Sequence, residues 1–484
     1  MPIPLSNKKP LDPKDPSYKA FLDDLQGNIL ASHGRENVLL LPVEFTCGEQ
    51  EARSWIRAFG RGWVTSASRQ SEQTVNYRND KSEALFANLF LTRRGYEYIG
   101  LKGSQIPADP KFRAGMSKSQ ALLKDTPPNT WEPQYDPAQR TLHAMVLLAA
   151  TTLSKFKIQC NEIGDSLGQL GKVALEVGHA SKDVARRETD RRYVEEFNYV
   201  DGRSQPLFLQ EDIDTEEDLD GTSDYDPFAP LGLVLVKDPN GGEDGYGSYL
   251  VYRRLEQNVR GFKERALKPI GDAKSPQSLA DVLGLTTTED RKRVGAMVIG
   301  RFENGTPLAL CNHSHLRSAP NNFNYDDDPH GLKCPLFAHI RKVNPRTEES
   351  RRRRIVRRGI SYEYKSFSAP AAREKFEQMP IDNVGLHFMC FQSSIEAQFE
   401  YLQRLANDPD LPTPNAGADP LIGQSNESKH WVTTWGKSTG KKAPFGNFVT
   451  LKGGEYFFAP CLSFFEGLPS HQVPSPKRMV IFAR

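Results

Sequence analysis

At 484 residues and 54.4 kDa the chain has room for up to about three average domains, or for two large ones fused into one body. Hydrophobic residues at 38%, charged residues at 26% and a mean hydropathy of -0.58 describe a water-soluble globular protein and exclude a disordered or fibrous one. The 63 basic and 61 acidic side chains leave a formal charge of +2, so no global field favours nucleic acid or an anionic membrane.

The proline-rich lead, Met1 to Phe21, has neither an apolar export run nor a twin-arginine pair, and a cytoplasmic location is expected. Asn37 to Thr46 (NVLLLPVEFT) reads as a strand and Gln50 to Phe59 as an amphipathic helix. Thr141 to Thr151 and Gly171 to Val177 are further apolar, β-prone runs, and the polar stretch Ala180 to Arg192 leads into Phe197 to Phe208, completing a first α+β unit. Glu211 to Asp226 (EDIDTEEDLDGTSDYD) is densely acidic and almost free of large apolar residues, the composition of a solvated connection. A boundary near residue 235 follows, dividing the chain into 1–235 and 236–484. The second half opens as the first does, with Gly247 to Leu255 as a strand and Gln257 to Ala266 as a helix, which suggests a duplicated α+β module. Gly385 to Gln392 and Asn447 to Pro460 read as buried strands with a helix, Ile395 to Leu405, between them. No uncharged run of about 18 apolar residues occurs, so no ordinary membrane-spanning helix is expected.

Six cysteines without a CxxC pair suit scattered reduced thiols rather than a disulfide framework. Cys311, His313 and His315 alternate along one segment, but no second ligand pair sits nearby, and a zinc site is not expected. His339 lies in CPLFAHIRKVNPR, bracketed by Pro335 and Pro345, a setting that can hold an imidazole rigidly. Taken singly it reads as structural, as Asp201 in FNYVDGRSQP reads as a turn residue. Clustered arginines at Arg351 to Arg358 would suit a polyanion, although two glutamates lie just upstream and no aromatic residues interleave.

Taken together and in order, six segments resemble the dye-decolourising peroxidase family, in its larger branch. They are DLQGNIL at Asp24, VDGRSQP at Val200, NYDDDPHGLKCPLFAHIRKVNPR at Asn324, IVRRGISY at Ile355, FMCFQSSIEAQF at Phe388 and FGNFVTLKGGEYFFAP at Phe445. The resemblance implies an α+β fold of two ferredoxin-like halves packed into one body, with one non-covalent haem b per chain held mainly by the second half. The absence of CxxCH agrees with non-covalent binding. It further implies hydrogen peroxide as oxidant, oxoferryl chemistry and aromatic substrates such as anthraquinone-type dyes and phenols. Nucleic acid and membrane partners are not expected, and a homo-oligomer is left open. A haem-binding or haem-delivery protein with weak peroxidase activity is the alternative.

The same resemblance makes His339 the proximal iron ligand, Asp201 the distal acid and Arg357 the distal arginine. Arg346 would pair with a haem propionate, Leu386 and Phe388 would form the distal wall, and Glu396 is the candidate acceptor for the second N–H of His339. Arg358 adjoins Arg357, and side-chain alternation favours the latter. The family usually has glycine three residues before the aspartate; here it is Asn198, a residue that tolerates positive φ. Gly359 stands where one bacterial branch has an asparagine, which removes a distal amide.

Overall fold

The computed structural model of the chain describes residues 3–80, 84–179, 193–267, 278–314, 319–363 and 376–469. The first half contributes strands Asn37–Phe45 (β1), Phe86–Leu91 (β2), Ala144–Ala150 (β3), Gly171–Val173 (β4) and Glu176–His179 (β5). The second adds Val236–Lys237 (β6), Tyr246–Gln257 (β7), Val356–Arg357 (β8), Ile360–Glu363 (β9) and Val384–Gln392 (β10). Ser428–Val432 (β11) and Gly440–Pro444 (β12) form a hairpin of their own, and Val449–Ala459 (β13) follows.

The remaining strands make one antiparallel sheet in the order β4-β1-β3-β2-β13-β7-β10-β8, with β5 on β1, β6 on β7 and β9 on β10. Every residue of β2 and β3 is buried, so apart from Asn88, whose Nδ2 donates to Gln26 Oε1 and the Gly27 carbonyl, these strands carry apolar sequence rather than alternation. The halves join where Leu91 of β2 pairs with Phe458 of β13. Gln26 clamps this seam, its Nε2 donating to the Leu89 carbonyl at 2.9 Å and to that of Pro460 at 2.8 Å. At the other end β5 packs beside β9, where a Cβ on Gly178 would lie 2.6 Å from Ile360 Cγ2. The sheet therefore curls until its ends meet, giving an α+β body.

Helices cover the curved sheet. Glu49–Gly62 lies against Leu462–Gly467 so closely that a Cβ on Gly60 would come within 2.1 Å of Phe465 Cγ. A second apolar cluster forms around Phe197, Phe262, Trp431 and Phe445, with the rings of Phe197 and Phe262 stacked at 4.3 Å.

Three expectations change. The run Gly171 to Val177 is broken at Ala174 and Leu175 into β4 and β5, both paired to β1. The acidic stretch is solvated but not an irregular link, because Gln210–Asp220 is a largely exposed helix. Glu211 and Asp212 sit in its first turn, where the helix dipole favours carboxylates. Glu216 turns inward and takes the Arg203 fork at 2.8 and 2.9 Å. The expected helix from Ile395 opens as a π-helical segment, Ile395–Glu400, before Tyr401–Asn407. The polar stretch Ala180 to Arg192 lies outside the described residues. Among the described residues no helix is long and apolar enough to cross a membrane.

Candidate active site

A cavity of about 260 Å³ opens between strands of the second half and first-half residues that include Asp125 and several from Glu195 to Ser204. The pleat selects its lining: Leu386 and Phe388 of β10 face it, as do Arg253, Leu255 and Gln257 of β7, while the residues between them face the opposite side. Asp201 to Ser204, Arg357 and the short helix His339–Val343 complete the relevant walls.

His339 starts that helix, and its Nδ1 lies 2.8 Å from Asp419 Oδ2. Asp419 is wholly buried, and its other oxygen accepts from the backbone N–H groups of Leu421 at 2.7 Å and Ile422 at 3.1 Å. A carboxylate so held orients the ring and leaves Nε2 as the nitrogen available to a metal. Glu396 does not fill this role. Its side chain is 59% exposed and stands 3.9 Å from Lys111 Nζ, because it occupies the first, outward turn of the π-helical segment. The buried carboxylate of that segment is Glu400, bonded to Ser119 and Tyr456.

Asp201 and Arg357 meet on the wall, Oδ1 accepting from Arg357 Nη1 at 3.0 Å and from the Gly202 N–H at 2.7 Å. Arg357 Nη2 donates to the Arg203 carbonyl at 2.7 Å, which fixes the guanidinium. Both side chains keep about a third of their surface, 30% for Asp201 and 35% for Arg357. Asn198 adopts φ 72°, so it serves in the glycine's place, and its Nδ2 donates to Glu303. Arg358 points away from the cavity and donates to the carbonyls of Asn28 and Ile29, with burial lowering its guanidinium to about 10. The DLQGNIL segment thus docks the neighbour of Arg357.

Arg346 stands one layer behind the wall rather than on it. Its guanidinium is sandwiched between Tyr225 and Phe323, at 4.0 and 3.8 Å, and donates to Asn321, Phe323 and Ser204. Its Nε is buried without a hydrogen-bond partner. Arg203 and Arg301 line the cavity beside Ser204; Arg301 Nη2 lies 3.4 Å from Ser204 Oγ, and burial pulls its guanidinium down to about 9, still charged at neutral pH. Arg301 and Asp419 escaped sequence reasoning. Arg301 sits in a plain GRFENG turn, and Asp419 looks like a loop Asx cap, which it also is.

The arginine run disperses instead of forming a polyanion surface. Arg352 is exposed, Arg354 is buried on the carbonyls of Pro227 and Phe228, and Arg357 and Arg358 point in opposite directions. His315 of the Cys311 to His315 group lies outside the described residues.

The cavity suits a flat, largely apolar group carrying anionic edges. It offers an imidazole with one committed nitrogen, walls of aliphatic and phenyl side chains, and a cluster of arginines around Ser204 on one edge. With an acid and arginine pair on the same cavity, the site holds the residue types that a haem peroxidase would need.

The profile of the family "Dyp-type peroxidase, C-terminal" matches residues 293–414. The multifunctional dye peroxidase DyP2 of an Amycolatopsis species is 37% identical over 97% of this chain and 100% of its own length. Its crystal structure superposes with a TM-score of 0.87, as does the DyP-type peroxidase of an Anabaena species, 37% identical over 96% of this chain and 99% of that one. A dye-decolourising peroxidase in complex with 2,6-dimethoxyphenol shares the fold at a TM-score of 0.70 and 22% identity. The chain belongs to the dye-decolourising peroxidases and is a peroxidase by family, and that family implies haem, hydrogen peroxide and aromatic reductants.

Proposed function

We propose that this peroxidase holds one non-covalent haem b per chain in the cavity and oxidises phenols and anthraquinone-type dyes at the expense of hydrogen peroxide. The observation that carries the reading is the placing of the His339–Asp419 pair and the Asp201–Arg357 pair on the walls of one apolar cavity. When bound, haem supplies the iron on which peroxide is split and the oxidising equivalents are held. His339 would hold that iron through Nε2, with Asp419 making the imidazole more electron-donating. Arg301 and Ser204 would hold the carboxylates, supported from behind by Arg346.

Asp201 takes the proton from the inner oxygen of peroxide and returns it to the outer one, which becomes the leaving water. Its Oδ1 is occupied by Arg357 and Gly202, so Oδ2 moves the proton. Arg357 stabilises the charge that develops on the departing oxygen without giving up its own proton. Leu386 and Phe388 keep water from the rest of that wall. A relative of the same fold is described in complex with 2,6-dimethoxyphenol, which supports phenols as reductants.

The test is a stopped-flow visible spectrum of the haem-reconstituted protein mixed with hydrogen peroxide, alongside His339→Ala. The reading expects a rapid spectral conversion in the parent and lost or altered haem binding in the variant. A protein that binds no haem, or whose bound haem ignores peroxide, overturns it.

A further inference from the structure

Behind the cavity wall, on the other face of the same sheet, lies a buried phenol–imidazole pair that the mechanism above does not use. Tyr252 of β7 and His387 of β10 are both fully buried, and Tyr252 Oη lies 3.1 Å from His387 Nδ1. Each is one residue from the cavity lining: His387 sits between Leu386 and Phe388, and Tyr252 adjoins Arg253. One backbone layer therefore separates the pair from the cavity.

The surroundings fix where the protons are. His387 Nε2 faces the Val177 carbonyl at 3.3 Å, and a carbonyl only accepts, so Nε2 carries the hydrogen and Nδ1 must accept from the phenol. Burial, followed by the charge of Arg254, holds the imidazole's pKa down to about 3, so the ring is neutral and its Nδ1 carries no proton. The groups facing the pair are Arg254, Glu176, Glu132, Tyr135 and Tyr362. Arg254 is ion-paired to Glu132 and Glu176, and its guanidinium covers the Tyr362 ring at 4.3 Å. Tyr135 Oη lies 2.9 Å from Tyr252 Oη and 3.1 Å from Glu176 Oε1, with its ring 5.5 Å from that of Tyr252.

We infer that Tyr252 is a redox-active residue, giving one electron to the peroxide-oxidised cofactor while its phenolic proton passes to His387 Nδ1. The inference rests on the peroxidase reading, which supplies the oxidant. The step balances: the O–H bond of Tyr252 breaks, an N–H bond forms on His387, the cofactor is reduced by one electron, and a neutral tyrosyl radical remains beside an imidazolium. An oxidised phenol is a far stronger acid than an imidazolium, so even this weakly basic ring takes the proton, and Glu176 and Glu132 offset the new charge. Return of an electron returns the proton along the same hydrogen bond, which makes the store reversible. Tyr135, in contact with Tyr252 Oη, is the next site for the hole.

The experiment is freeze-quench electron paramagnetic resonance of the holoenzyme mixed with one equivalent of peroxide, for the parent, Tyr252→Phe and His387→Gln. The expected result is a tyrosyl signal in the parent that is lost in Tyr252→Phe, while the first optical response to peroxide is kept. In His387→Gln the signal should fall several-fold and lose its exchangeable deuterium coupling. A tyrosyl signal unchanged in Tyr252→Phe, or none in a parent whose haem responds to peroxide, overturns the inference. Nitrogen-15 resonance of labelled histidine in the full chain without haem needs no oxidant and so separates the two readings. His387 should be the Nε2–H tautomer, with its Nδ1 shift moving in Tyr252→Phe. An Nδ1–H tautomer removes the proton acceptor, and the inference fails whatever the peroxide chemistry.

Discussion

The two carboxylates of the active site differ in freedom. Asp419 is wholly buried with both oxygens engaged, one by His339 and one by two backbone N–H groups. Asp201 is 30% exposed and has only Oδ1 engaged. A group that must orient a ligand benefits from losing every alternative, whereas a group that must take and release a proton needs an uncommitted oxygen and contact with water. The same side chain type is thus made a brace on one wall and a relay on the other.

Four changes test this contrast, from the largest effect downward. His339→Ala removes what the brace holds, and haem binding, read from the visible spectrum after gel filtration, should be lost or altered. Asp201→Asn leaves the cavity's shape and haem content intact but removes the relay. The rate of the peroxide-driven spectral change should fall by roughly 10²–10⁴-fold, and an unchanged rate would show that a group other than Asp201 moves the proton. Asp419→Asn keeps one acceptor where two are needed, so it must give up either His339 or the backbone of Leu421 and Ile422. A loss of about 10- to 100-fold in haem affinity or turnover is expected, and the parental values would mean that the brace is idle. Glu396→Gln, on the exposed side of the π-helical segment, should change neither haem affinity nor turnover measurably.

Acid sharpens the comparison further. Burial is the first cause holding three neutral histidines below the ordinary 6.5, His387 and His33 to about 3 and His143 to about 4. Their folded values are depressed, so the unfolded chain binds protons that the native state refuses. The stability they contribute is fully present above about pH 6.5 and is lost as pH falls toward about 4 for His143 and about 3 for His387 and His33. Each contributes a slope of up to about 1.4 kcal/mol per pH unit. Urea midpoints should be flat between pH 7 and 8 and fall below about 6.5; a midpoint that rises on acidification contradicts this.

The strands that build the cavity were legible because burial on both faces writes a mostly apolar run into the sequence, as in Gly385 to Gln392, where only His387 and Gln392 are polar. His339, Asp201 and Arg357 were legible only through the order of motifs, since each alone resembles an ordinary core or turn residue. Asp419 is invisible in the sequence because spacing cannot show a contact across 80 positions, and Glu396, the expected acceptor, lies exposed in a π-helical segment instead. The acidic helix Gln210–Asp220 was hidden for a related reason. Its inward contact is an ion pair, Glu216 with Arg203, so no apolar stripe marks it.

The position of β13 sets the order of events during synthesis. This strand sits between β2 and β7 in the middle of the sheet, although it is the last strand of the described chain to be made. Val449 and Leu451 belong both to it and to the cavity lining. Until residue 451 has left the ribosome the pocket lacks a wall and the halves lack their seam, so the nascent protein waits with open sheet edges exposed. Cofactor capture then has to follow the synthesis of β13, and such edges are the surface a chaperone would shield during the wait.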